Sequence, residues 1–274
     1  MAAANTNSKG NLMSTNNLQD LLNGAKDDGF LDQSAADALN VVDLGQTIQD
    51  NLGVSAADID STEVFGLFSL IDDSGSIRFS GNTQVVRDGY NGIIEALKKS
   101  ASRDDIINTA MMLNAGIFQP PTALVNSIAL DAHNYNPTGG TPLYDKSLEM
   151  GALVTLKRQE FAATGASFRG VLLLVSDGRD EGSHASAKKV KAVIDSLQQQ
   201  EVIQVIALGI DDGHTNFHDV FTSMGVLPEN VLTVSNDPSS IRKAFGVVSR
   251  ATVSASQGGS VSQSGGLGGF GANP

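Results

Sequence analysis

The chain contains no cysteine. That excludes a disulfide, a thiolate zinc site and a cysteine nucleophile. No apolar run approaches the roughly 18 residues that span a bilayer; the longest, such as Val171 to Val175, have the length of a core strand. Met1 to Gly10 is polar and lacks the apolar segment of a secretory leader. Together these absences imply a soluble protein of the cytoplasm. Cations are also scarce: 18 Lys+Arg stand against 30 Asp+Glu, a net charge of −12. Phosphate backbones are bound by clustered Lys and Arg, so the balance argues against a nucleic-acid partner. The acids do not form the continuous blocks of a disordered acidic tail. Residues 1–60 carry nine Asp and two Lys, or −7, and the remainder 21 acids and 16 bases, or −5.

What is present is a hydrophobic fraction of 41% in 274 residues, enough for one large domain with an extension. Residues 1–16 are Asn/Ser/Ala-rich and read as a disordered N-terminus. Residues 17–60 read as an acidic helical extension. Leu18, Leu21 and Leu22 recur at helical spacing before the break at Asp28-Gly29, Ser34 is a candidate cap for a second helix, and Val41, Leu44, Ile48 and Leu52 form an amphipathic stripe. This segment is too small to stand alone and is expected to pack on the larger region C-terminal to it.

From residue 61 to 254 the pattern becomes alternating. Apolar runs at Val64–Ile71, Ile106–Leu113, Gly170–Val175, Val202–Ile210 and Val231–Val234 read as strands. Asn82–Ser100, Thr141–Thr164, Ser186–Gln200, Val220–Met224 and Pro238–Thr252 read as helices. Pro120-Pro121 reads as a break, with a short strand or helix after it over Ala123–Leu130. The alternation predicts an α/β fold, a doubly wound and mostly parallel sheet flanked by helices. Residues 255–274 are Gly/Ser-rich and read as a flexible tail.

In such a sheet, ligands bind beyond the carboxyl ends of the strands. Three oxygen-bearing clusters fall at such ends or at helix starts: Asp72-x-Ser74-x-Ser76, Gly139-Gly140-Thr141-Pro142-Leu143, and Ser176-Asp177-Gly178. They supply oxygen and neither nitrogen nor sulfur, which suits a hard divalent cation: Mg2+, with Mn2+ or Ca2+ as alternatives. A set of hydroxyls and few carboxylates leaves coordination positions open, and an open position accepts a partner's carboxylate.

These three clusters, in this order, resemble the metal ion-dependent adhesion site (MIDAS) of the von Willebrand factor type A (VWA) domain. The resemblance covers about residues 61–254, and all five motif positions are filled. Asp73 cannot head the motif, because positions 75 and 77 hold Gly and Ile. By resemblance, Ser74 and Ser76 bind the metal directly and Thr141 directly or through water. Asp72 and Asp177 act mostly through bound waters and hydrogen bonds to the serines. The family implies a VWA/Rossmann-like fold and a Mg2+-dependent protein–protein interaction module that takes an Asp or Glu of its partner; with no nucleophile or general base beside the oxygen site, no enzymatic activity is expected. Intracellular bacterial-type members partner with AAA+ ATPases, and the Thr-Gly-Gly-Thr-Pro-Leu segment is similar to that of stress- or tellurite-resistance members. The alternatives are a non-catalytic subunit of an AAA+ ATPase or chelatase-type complex, and a structural assembly protein docking through its two arms. A metal phosphatase or nuclease would need a second metal or a poised His or Lys, which the sequence does not place.

Other motifs carry less. Asp27 to Asp32 lacks EF-hand spacing and reads as turn and helix-start chemistry. His214 and His218 read as a solvated pair, since neither has the neighbouring Glu of a zinc-protease motif. His184 is a candidate for the rim of the site, and Gly178-Arg179-Asp180-Glu181-Gly182, which leaves the metal loop, reads as a solvated turn or a partner-contacting segment. The Gly-Gly-Thr stretch lacks the Gly-Lys-Ser/Thr of a phosphate loop.

Overall fold

The computed structural model describes residues 15–40, 53, 55–56, 59, 61–199 and 201–259. The expectations for residues 1–14, for the amphipathic stripe from Val41 to Leu52 and for residues 260–274 lie outside the described residues. The elements run α1 (Thr15–Asp27), α2 (Gln33–Leu39), β1 (Glu63–Ile71), α3 (Gly75–Phe79), α4 (Thr83–Lys98), β2 (Ile106–Met112), β3 (Gly116–Ala123), α5 (Leu143–Ala163), β4 (Ser167–Ser176), α6 (Ala187–Gln198), β5 (Ile203–Ile210), α7 (Phe217–Ser223), β6 (Val231–Val234) and α8 (Pro238–Ser256).

The strands form one sheet in the order β3-β2-β1-β4-β5-β6. All neighbours are parallel except β2 and β3, which are antiparallel. The chain turns back between β1 and β4, so the carboxyl ends of those two adjacent strands open at the switch point of the winding. Strand periodicity divides the side chains between two cores. Leu172 and Leu174 of β4 join Phe68 and Leu70 of β1 on the face covered by α5 and α6. Val171, Leu173 and Val175 join Phe65 and Leu67 on the face covered by α4 and α8. Burial on both faces is why these strands read as continuous apolar runs.

Three expectations are corrected. Pro120-Pro121 does not break the chain; β3 runs through it. An edge strand tolerates proline because only one of its sides must donate to a neighbour, and the β2–β3 register shifts around Ala110, alongside this segment. The short element expected over Ala123–Leu130 is a single 3-10 turn at Leu124–Asn126. The second helix is capped by Asp32, which accepts from the Ala35 amide at 2.8 Å, and not by Ser34.

The helical extension packs on the domain as expected, and its place is informative. Its residues Leu22, Ala25, Leu31, Ala35 and Leu39 belong to the same core as α5 and α6. Polar ties join it to the far ends of those helices. The Ala56 amide donates to Glu160 Oε1 (2.8 Å), the Asp32 amide donates to Ser196 Oγ (3.0 Å), and the Arg158 guanidinium lies 5.0 Å from the Phe30 ring centroid. Helix α5 starts at the sheet's carboxyl end, so Glu160, 17 residues on, is about 25 Å further along its axis. The described part of the extension therefore leaves the carboxyl end of the sheet uncovered.

Candidate metal centre

At the end of β1 the Asp72 amide donates to Val175 O of β4 (3.0 Å), which sets the first cluster beside the third. The next residues form an Asx turn, with the Ser74 amide donating to Asp72 Oδ1 at 2.8 Å. Ser74 then occupies the N-cap of α3 without spending its hydroxyl on the helix. That hydroxyl instead meets Ser76 Oγ at 2.8 Å, and Ser76 Oγ donates to Asp177 Oδ1 at 2.6 Å. Residues 101 apart in sequence thus close into one chain of oxygens. Ser176 Oγ donates to Asp72 Oδ2 at 2.6 Å. Asp72 is fully buried behind this chain, whereas Ser76 is exposed.

Thr141 joins from the second cluster. It forms an isolated antiparallel bridge with Glu181, the Glu181 amide donating to Thr141 O at 2.8 Å. A Cβ on Gly178 would stand 3.5 Å from Thr141 Oγ1, so this hydroxyl hangs over the turn after Asp177. Ser76, Thr141 and Asp177 line one cleft of about 680 Å3, together with Arg179, Glu181 and Asp212. All five residues of the sequence motif are therefore brought to one place, with Ser76, Thr141 and Asp177 at the surface of the cleft and Asp72 beneath it. Gly178, Arg179 and Glu181 of the 178–182 segment line the cleft, and the rim candidate His184 does not. His214 lines it without His218.

Several further contributors are present. Asp73, excluded as motif head, points away from the serines. Its carboxylate accepts from the Asn114 amide (2.7 Å), Asn114 Nδ2 (3.0 Å) and the Ala115 amide (3.0 Å). Asn114 Nδ2 also donates to Gly140 O at 2.9 Å, clamping the β2–β3 turn to the loop that carries Thr141. Tyr135 is buried and its hydroxyl donates to the Asp72 carbonyl. No sequence signal marks Asn114 or Tyr135. Asp212 does carry one: it comes just after the carboxyl end of β5, by the same rule that singles out Asp72 and Asp177.

The electrostatics suit a cation. Burial pushes the Asp177 carboxyl up to about 7, and the nearby charges of Asp72 and Asp212 add to this against the lowering hydrogen bond from Ser76. Burial also raises Asp72, opposed by its hydrogen bonds from Ser176 and Ser74. Among the described residues, neither carboxylate has an ion-pair partner. No group of three or more His, Asp or Glu side chains in the described residues is placed to hold a metal; the set here is two carboxylates and three hydroxyls. An all-oxygen set with two desolvated carboxylates fits a hard divalent cation.

The Asp177 shift predicts a pH dependence for the metal-free protein. Its folded value of about 7 lies above the ordinary 3.8, so between these values the native state holds a proton that the unfolded chain has released. Stability then falls as pH rises through this window. In EDTA, between about pH 5.5 and 7.5, the unfolding temperature of the wild type is expected to drop by more than that of Asp177→Asn. Equal drops in the two proteins would contradict the assignment.

No protein-family model matches the chain, and no curated protein matches it in sequence. It is similar in fold to solved structures. The pilus adhesin SpaC from Lactobacillus rhamnosus GG is 10% identical, with 72% of this chain and 31% of the adhesin covered and a TM-score of 0.50. Proximal thread matrix protein 1 from the mussel byssus, with a zinc-occupied MIDAS motif, is 15% identical over 69% of this chain and 48% of its own, with a TM-score of 0.44. The SpRpn10 VWA domain is 10% identical over 68% of this chain and 95% of its own, with a TM-score of 0.48. The chain thus spans about half or less of the length of the adhesin and the mussel protein. At these identities the likeness is one of fold. No helix among the described residues is long and apolar enough to cross a membrane.

Proposed function

We propose that the chain is a metal-dependent protein-binding module of the VWA type, with Asp72, Ser74, Ser76, Thr141 and Asp177 as its MIDAS residues. The observation that carries the reading is the oxygen chain Ser74–Ser76–Asp177, whose middle hydroxyl is exposed and whose last member is a carboxylate with no cationic partner among the described residues. Ser74, Ser76 and Thr141 would offer hydroxyl oxygens to the ion. Asp177 supplies negative charge at the cleft, and Asp72 holds the Ser74 amide and the Ser176 hydroxyl so that the two loops keep their spacing. The bound ion, Mg2+ with Mn2+ or Ca2+ as alternatives, would supply an open position for an Asp or Glu of a partner protein. Exposed charges more than about 10 Å away are screened at 0.1 M salt, so the net charge of −12 slows encounter with an acidic partner while the local cation sets affinity.

The role proposed is binding without turnover, in the cytoplasm. An AAA+ ATPase complex is among the partner classes, as the resemblance to intracellular bacterial-type members implies. The test is an affinity pull-down from native lysate with wild type in Mg2+, wild type in EDTA, and Asp177→Ala in Mg2+. A partner held only by wild type in Mg2+ is the expected result. A partner retained in all three would move the interaction to another face of the molecule.

A further inference from the structure

Four large hydrophobic side chains are exposed among the described residues, and the most exposed, Phe79 at 82%, stands beside the candidate metal centre. The other three are elsewhere. Val125 and Ile128 come after Ala123, which pairs near the start of β2, and Leu227 precedes β6. Phe79 lies on the same short helix as Ser76, three residues on. That spacing puts both side chains on one face, with Cβ atoms about 5–6 Å apart. The ring folds back over the metal-loop backbone: a Cβ on Gly75 would stand 3.3 Å from Phe79 Cε2 and 3.6 Å from Gly139 O, on the loop leading to Thr141. The Arg78 guanidinium lies 5.1 Å from the ring centroid, and Arg179 lines the cleft that Ser76 also lines. Both arginines are exposed, and among the described residues neither forms an ion pair, in a chain of net charge −12.

We infer that Phe79 is the apolar half of a two-point docking surface for an extended acidic peptide segment, a reading that rests on the metal site proposed above. One carboxylate of the segment enters the oxygen site, and an aromatic or large aliphatic side chain two residues away packs on the Phe79 ring. In an extended strand, side chains at i and i+2 point the same way about 7 Å apart, close to the spacing of the Ser76 and Phe79 side chains along α3. Arg78 and Arg179 complement further acidic residues of the segment. A solvent-exposed ring costs little to leave in place singly, but here it adjoins an oxygen site whose specificity for a carboxylate alone would be low, and it adds apolar area to that contact.

The probes are immobilised synthetic peptides with Asp-Ser-Phe, Asp-Ser-Ser and Asn-Ser-Phe cores in Gly/Ser flanks. In Mg2+ the wild-type chain is expected to retain the Asp-Ser-Phe peptide about tenfold more than Asp-Ser-Ser, the order of magnitude for burying part of an aromatic side chain. Phe79→Ser abolishes that preference, while Val125→Ser, at the opposite end of the sheet, preserves it. Retention that ignores the peptide's Phe, or a preference that survives Phe79→Ser, overturns the inference. So does Mg2+-dependent dimerisation of the chain that is lost in Phe79→Ser, which would assign the surface to a second copy. Thermal shift by Mg2+ separates the two readings: a shift without Phe preference sinks the docking surface alone, and no shift sinks the metal site with it.

Discussion

Mg2+ at a hundredfold excess over its dissociation constant is expected to raise the unfolding temperature of the wild-type chain by about 5–10 °C and to leave Asp177→Ala unmoved. The magnitude comes from linkage. Binding to the native state alone stabilises by about 2.7 kcal/mol at that excess, and a domain of this size gains about 2–4 °C per kcal/mol. Asp177→Ala is the informative variant because it removes a carboxylate that burial already disfavours, while its donor, Ser76, is exposed and can turn to water. Asp72→Ala would be a poorer probe. Asp72 is fully buried and accepts from the Ser74 amide and the Ser176 hydroxyl. Its loss would strand those donors at about 1–3 kcal/mol each and confuse metal loss with unfolding. A Mg2+ shift of equal size in Asp177→Ala, read by calorimetry or dye binding, would remove this residue from the site.

The second large effect is on the frame that brings the two loops of the candidate metal centre together. Gly66 of β1 and Gly170 of β4 face each other at the centre of the sheet. A Cβ on Gly170 would stand 2.3 Å from the Gly66 carbonyl oxygen, which is backbone and cannot swing aside. Gly66 in turn leaves room for the Phe68 and Phe168 rings, which would lie 2.4 and 2.8 Å from a Cβ there. Gly170→Ala is expected to destabilise by about 3 kcal/mol, the upper part of the range for overpacking, a fall of about 6–12 °C. Gly92→Ala on α4 has nothing within 4 Å of its new Cβ and is expected to stabilise by about 1 kcal/mol through helix propensity. Urea unfolding with unchanged slope measures both. A Gly170→Ala protein as stable as wild type would show that β1 and β4 can part without cost, and the fixed spacing of Asp72 and Asp177 would lose its basis.

Strand and helix boundaries are legible in the sequence wherever the signal is local. The run from Val202 to Ile210 contains β5 (Ile203–Ile210), and Val231–Val234 is β6 to the residue. Side-chain periodicity and turn residues are properties of short segments, so a single chain carries them unaided. The same holds for the motif residues. Asp72, Ser74, Ser76 and Asp177 stand out because hydroxyls and carboxylates directly after apolar runs mark strand ends in this architecture, whereas Thr141, at a helix start, is marked by the family resemblance of its Gly-Gly-Thr-Pro-Leu setting.

The α/β alternation, the oxygen-only chemistry of the strand ends and the acidity of the N-terminal segment are thus written in the order of the residues alone. Which of these meet is a matter of the folded chain. Folding pairs Gly116–Ala123 as an antiparallel edge strand through Pro120-Pro121, because a proline's cost depends on whether its missing amide had a neighbour to serve. It turns Asp73 away from Asp72 to hold Asn114, 41 residues on. It seats the described part of the extension on the far ends of α5 and α6, and it places Phe79 next to the loop that leads to Thr141. Each of these is a hydrogen bond or contact between distant residues, whose energy exists only once the whole sheet has closed around its cores.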